Sequence, residues 1–120
     1  MSGNKTWPPG YSIEEMPRHL DPGLIARFSD VPVAVAGDCM GRSLGAMGLK
    51  AYHENLRLSL CGPALTVQVR PGDNLMIHKA IQLAKEGDVL VVDGGGDLTN
   101  ALIGELMASQ MIYRKLGGIV

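Results

Sequence analysis

Apolar and polar positions divide the chain into an irregular first half and a regular second half. Through "PALTVQVR", Leu65, Val67 and Val69 fall on one side of an extended chain and Thr66, Gln68 and Arg70 on the other, the alternation of a half-buried strand. In "PGDNLMIHKAIQLAKEGD" the period changes. Met76, Ile77, Ala80, Ile81 and Ala84 recur at the spacing of one helical face, with Asp73 or Asn74 able to open the helix and Gly87 to close it. "VLVV" is a continuous apolar run, as in a strand covered on both faces. A second helix is expected from Glu105 to Leu116, with Met107, Ala108, Met111 and Ile112 on one side, Arg114 and Lys115 in the last turn and Gly117 beyond it. "KLGGIV" then reads as a helix stop followed by the first residues of another buried strand. Strand, helix, strand, helix is an α/β order.

Earlier in the chain the pattern is weaker. A helical period from Ser12 to Phe28 is interrupted at Pro17 and Pro22, so one or two short helices are expected, with Asp21 and Pro22 as cap and first turn. "VPVAVAGDCMGR" passes from a small-residue apolar run into a turn, and "LGAMGLKAYHENLRL" is too rich in glycine at its start to assign an element. Residues 1–12 hold Pro8, Pro9 and Gly10 and almost nothing to bury, so they are expected to form an extended arm before a domain over 13–120. Trp7 is the exception, an aromatic that would dock on a partner surface. A strand opening at "GGIV" would be too short to pair if it stopped at Val120, so the sequence is expected to be the N-terminal part of a longer protein.

Bulk properties narrow the function classes. At 120 residues the chain is one domain at most, and its net charge of -1 gives no field to draw in nucleic acid or anionic lipid. No apolar run approaches a membrane span and "MSGNKTWPPG" has no signal-peptide core, so a soluble, cytoplasmic protein without nucleic-acid or membrane partners is expected. Cys39 and Cys61 form no CxxC pair and no metal-ligand pattern with His19, His53 or His78, and are read as buried free thiols.

The stretch "VLVVDGGGDLTNALIGELMA" holds the candidate chemistry. Amides at a helix start have no intrahelical partner and carry the positive end of the dipole, so a strand, a glycine loop and a helix start suit an anion. "DGGGDLTNALIGE" does not satisfy G-x-G-x-x-G, because Thr99 stands at the third glycine, and no Gly-Lys-Ser/Thr follows. Asp93, Asp97 and Glu105 would also repel a polyphosphate, so a small carboxylate fits better than a nucleotide. Plainer readings stand beside this one: Gly94, Gly95 and Gly96 permit positive φ in a tight turn, and Gly104 and Glu105 are an ordinary cap and first-turn acid. His78 and Lys79 lie on a solvated helix face rather than acting as base or Schiff-base lysine, Asp38 caps a helix or lines a pocket, and Met107 and Met111 serve packing.

"CGPALTVQV", "GDNLMIHKAIQLAKEGDVLVVDGGGDLTNALIGELMA" and "GGIV" together resemble the RraA-like family, over about Phe28 to Val120. That family includes 4-hydroxy-4-methyl-2-oxoglutarate/4-carboxy-4-hydroxy-2-oxoadipate aldolases and the RraA regulator of ribonuclease E. The resemblance implies a swivelling β/β/α fold, incomplete here at its C-terminus, assembled as homotrimers or hexamers with sites between subunits. It implies a Mg²⁺- or Mn²⁺-dependent aldolase that cleaves 4-hydroxy-2-oxo acids to pyruvate and a second oxo acid, with oxaloacetate decarboxylation on the side. In such an enzyme the ion stabilises a pyruvate enolate without a Schiff-base lysine. The family's pyruvate-holding backbone carries over onto Gly104, Glu105, Leu106 and Met107, with Gly94, Gly95, Gly96 and Asp97 as the supporting loop. Its Arg-Asp motif, which supplies the substrate arginine and the metal aspartate, falls past Val120, so no catalytic or metal-binding residue is assigned here. Arg114, at the far end of its helix, is no substitute, and residues 1–120 alone are expected to be inactive. The alternatives are a non-catalytic inhibitor of ribonuclease E, which the Arg-Asp region would distinguish, and a non-catalytic oligomer in which the glycine stretch is only a turn.

Overall fold

A parallel sheet organises the computed structural model, which describes residues 10–15 and 20–120. Two short helices, α1 (Pro22–Ser29) and α2 (Val33–Cys39), precede β1 (Ala64–Gln68), α3 (Leu75–Leu83), β2 (Val89–Asp93), α4 (Glu105–Tyr113) and β3 (Gly118–Ile119). The strands lie in the order β1-β2-β3, all parallel, with Leu65 opposite Leu90, Val67 opposite Val92 and Leu90 opposite Ile119. The expected α/β order is borne out. Trp7, Pro8, Pro9, Pro17 and His19 lie outside the described residues.

Both crossover helices pack on one face of the sheet. Val67, Val69 and Leu90 form one core with Ile77, Ala80, Ile81 and Ala84 of the α3 region and Met107 and Met111 of α4. Ile77, Ile81 and Leu90 are fully buried. Alternation in β1 and the helical spacing in α3 therefore mark the core side correctly.

The other face is covered unevenly. Ala64, Thr66 and Gln68 are exposed, yet Val89 and Leu90, which face opposite sides, are both buried while Val91 and Val92 are half-buried, so "VLVV" is covered on both faces at its start and only in part at its end. Continuous apolarity cannot say which face a crossover helix takes, and here α3 and α4 take the same one.

Helix ends also differ, for local reasons. Asp21 caps α1 as expected, its Oδ1 accepting from the Gly23 amide at 3.0 Å with Pro22 at the first position. α3 stops at Leu83, before Gly87, because Ala84 is extended and Arg114 Nη2 donates to the carbonyls of Gln82 at 3.1 Å and Ala84 at 2.9 Å. α4 stops at Tyr113, and the left-handed residue that ends it is Lys115 (φ 55°) rather than Gly117. Leu116 N donates to Met111 O at 3.0 Å and Lys115 N to Ile112 O at 2.9 Å, the paired bonds of a Schellman stop. Ile112 is exposed, at 77%, instead of joining the apolar side. Residues 33–39, read as an apolar run before a turn, are helical.

Gly117 has a different task. A Cβ there would stand 2.6 Å from Gly87 O, and at Gly62 the same carbonyl would be closer still. Gly87 N donates to Lys115 O at 2.9 Å and Gly117 N to Asp88 O at 2.8 Å, so three loops meet at the amino ends of the strands, with no room for a side chain at Gly62 or Gly117 and a left-handed φ of +85° at Gly87. Cys39 and Cys61 are free but exposed, not buried.

Candidate functional site

At the carboxyl ends of the strands, β2 runs into the glycine loop. Asp93 Oδ1 accepts from Gly95 N at 2.9 Å, while its Oδ2 accepts from Gln68 Nε2 at 3.4 Å, joining the ends of β1 and β2. Gly95 and Gly96 have φ of +68° and +73°, so the tight-turn reading is met at these two and not at Gly94, where a Cβ would instead stand 3.1 Å from Leu102 Cδ1. Asp97 Oδ1 accepts from the amide of Thr99 at 3.1 Å and from its hydroxyl at 2.7 Å. The Thr99 hydroxyl and amide hold the Asp97 carboxyl below the usual carboxylate range, so it stays charged.

Helix α4 begins in the open. Gly104 (φ -123°, ψ 177°) is its N-cap and contributes no side-chain bond, and a Cβ at Gly104 would meet nothing within 4 Å. Gly104, Glu105 and Leu106 are exposed, whereas the Met107 side chain is buried in the core. The first-turn amides of a helix have no intrahelical acceptor, and the dipole favours an anion there. The arrangement can hold a small carboxylate, in the setting where open parallel sheets present ligand crevices. A cleft of about 940 Å³, lined by Val92, Gly94, Leu102, Ile103, Val120 and His53 among others, reaches the residue before Gly104, and none of Gly104, Glu105, Leu106 or Met107 lines it.

The loop from Arg70 to Asn74 braces this end of the sheet. Asn74 Nδ2 donates to Leu102 O at 3.2 Å and lies 3.9 Å from Met107 Sδ. Asp73 Oδ1 accepts from Leu75 N at 2.9 Å, and its Oδ2 accepts from the Tyr11 hydroxyl at 2.6 Å. The Arg70 guanidinium stands 5.6 Å from the centre of the Tyr11 ring. Sequence reasoning offered Asp73 and Asn74 as competing caps and missed both the Asn74 bridge and the Tyr11 latch. The available signal was redundancy, since one helix start needs only one capping side chain.

Of the other candidates, Lys79 lines a second cleft together with Gln68 and Asp93. His78 is exposed and Lys79 half-buried on α3, and Asp38 pairs with Arg42 at 2.6 Å on the surface. Arg114 is occupied at the end of α3. Among the described residues no three or more His, Cys, Asp or Glu side chains group as a metal site. Asp93, Asp97 and Asp73 each already accept bonds within their own turns. The described donor set therefore does not fit a divalent ion by itself. No helix among them is long and apolar enough to cross a membrane.

Comparison with known proteins supplies the family. A family model described as RraA-like, Aldolase/RraA, matches residues 26–120. A Halalkalibacterium halodurans protein provisionally named 4-hydroxy-4-methyl-2-oxoglutarate aldolase is 35% identical over 97 residues, covering 80% of this chain and 45% of its own length. Proteins with the same provisional name are 42% identical over 59 residues in Bacillus cereus (49% of this chain, 36% of theirs) and 39% over 64 residues in Ectopseudomonas mendocina (53% and 39%). The chain thus spans less than half the length of these relatives. No solved structure gave a significant match. The glycine loop, the open helix start and the strand after it all fall inside the matched stretch, and the chain belongs to the RraA-like family.

Proposed function

We propose that this chain supplies the pyruvate-binding half of a cytoplasmic aldolase acting on 4-hydroxy-2-oxo dicarboxylic or tricarboxylic acids. The observation that carries the reading is the uncapped, open start of α4 at the carboxyl end of a parallel sheet. Family membership and the provisional names of the relatives support it. In the retro-aldol step the C3–C4 bond breaks, its electron pair stays on the pyruvate fragment as an enolate, and the C4 hydroxyl gives its proton to solvent as the second oxo group forms, a proton that solvent returns to C3 when the enolate becomes pyruvate. The amides of Glu105, Leu106 and Met107 bind the pyruvate carboxylate throughout, and the Gly94–Asp97 turn fixes where that helix begins. Oxaloacetate decarboxylation, which ends in the same enolate, is a side activity under this reading.

Mg²⁺ or Mn²⁺ belongs to the reading only as the family resemblance implies, and no step is assigned to it here. Exposed Leu98, Leu106 and Tyr113, at 96%, 88% and 88%, favour contact with another surface, and homotrimeric or hexameric assembly enters only as the family resemblance implies. They equally favour the second reading, a contact inhibitor of a ribonuclease. Titration of the protein with oxalate, followed through the backbone amides of residues 104–107, separates the two. Saturable shifts there support the aldolase reading, and their absence removes it. Residues 1–120 alone are expected to show no retro-aldol turnover, and measurable turnover would overturn that expectation.

A further inference from the structure

Asn74 occupies the N-cap position of α3, yet its side chain makes no capping bond there. Asp73, one residue earlier, takes the Leu75 amide at 2.9 Å instead. The Asn74 amide is thereby released from its own helix and reaches across to the approach of α4. Its Nδ2 donates to Leu102 O at 3.2 Å and lies 3.9 Å from Met107 Sδ. These two positions bracket the Gly104–Glu105–Leu106 segment. Between them Gly104 has no side chain to fix it and nothing within 4 Å of where a Cβ would stand. A helix start that must present amides in one direction, and that opens on a glycine, needs an external support.

We propose that Asn74 is the positioning residue of the candidate carboxylate site, holding the Leu102 carbonyl and the Met107 side chain so that the first-turn amides of α4 point outward together. The inference rests on the reading of that helix start as a carboxylate site. Asn74 acts on the backbone and does not itself touch the ligand. A neutral amide suits the place, because an aspartate there would set a carboxylate against the Leu102 carbonyl and add negative charge beside a bound anion.

The test is Asn74→Ser, with oxalate as the probe. Asp73 still takes the Leu75 amide, so α3 keeps its start, but the serine hydroxyl ends short of the position of the Asn amide. The expected result is an unfolding midpoint lowered by no more than one lost hydrogen bond accounts for, shifted amide resonances for residues 105–107, and oxalate affinity weaker by about tenfold, the scale of one lost hydrogen bond. Arg114→Ala, which removes a brace at the opposite end of the same helix pair, is the control. It is expected to lower stability and leave oxalate affinity unchanged. If Asn74→Ser binds oxalate as tightly as the unaltered protein, the positioning role is overturned while the site stands. If the unaltered protein gives no oxalate-dependent shift, the site and the positioning role fall together.

Discussion

Arg114 Nη2 donates to Ala84 O at 2.9 Å, so the end of one crossover helix closes the end of the other. The same nitrogen reaches Gln82 O at 3.1 Å, satisfying two carbonyls that a helix terminus leaves without partners. A cation there also complements the negative end of the α3 dipole. Arg114→Ala is expected to destabilise the protein by about 1 kcal/mol in urea unfolding. Lysine, a single point charge on a flexible stem, is expected to recover less than half of the loss.

Neighbouring residues at the candidate site should respond in opposite ways. Leu106 is 88% exposed and Met107 only 5% exposed, although both belong to the first turn of α4. Leu106→Ser should change the unfolding free energy by no more than about 0.5 kcal/mol, whereas Met107→Ala should cost about 2–4 kcal/mol through the cavity left among Ile77, Ile81 and Met111. Denaturant midpoints for the two variants measure the contrast, and equal losses would contradict it.

Crowding at the amino ends of the strands makes another prediction. Gly117→Ala would place a Cβ against the Gly87 carbonyl, an approach that backbone cannot relieve cheaply. A loss of about 2–4 kcal/mol is expected. Gly104→Ala, by contrast, meets nothing within 4 Å and should cost under about 1 kcal/mol, the difference between two uncharged caps. Thermal unfolding of the pair is the measurement.

The Tyr11–Asp73 latch sets a pH window. The Tyr11 hydroxyl, then the Leu75 amide, hold the Asp73 carboxyl below its ordinary value, and the Asp73 bond raises the Tyr11 phenol above its own. The lowered Asp73 value makes its contribution complete above the unfolded value of about 4 and lost as pH falls through the folded one. The raised Tyr11 value makes its contribution complete below about 10 and lost as pH rises through the folded one. Carboxyl chemical shifts should therefore give Asp73 a midpoint below that of an ordinary aspartate, moving upward in Tyr11→Phe. An unchanged midpoint in that variant would show that the hydroxyl does not reach the carboxylate in solution.

Much of the fold was legible in the sequence because period and burial coincide in one region. Leu65, Val67 and Val69 alternate where β1 is half-buried, and Ile77, Ala80, Ile81 and Ala84 repeat where α3 meets the sheet. What the sequence did not disclose depends on partners distant along the chain. Ala84 ends α3 because Arg114 is there, Lys115 rather than Gly117 takes the left-handed turn, and Gly117 is spent on a backbone approach to Gly87. At the candidate site the turn glycines and the helix start were readable from composition and order. The Asn74 bridge was not, since a cap and a cross-link use the same residue type and only the fold decides between them.

The glycine-packed junction of Gly62, Gly87 and Gly117 has a consequence for how the molecule can vary. It fastens the sheet at one end like the bound edge of a book, leaving the loops at the other edge free to be rewritten. Insertions or exchanges between Leu98 and Ala101, short of the Leu102 carbonyl that Asn74 holds, would alter what the α4 start meets while the spine stays shut. Diversification of ligand preference in such a scaffold should then be confined to the open edge, and the junction should tolerate almost none.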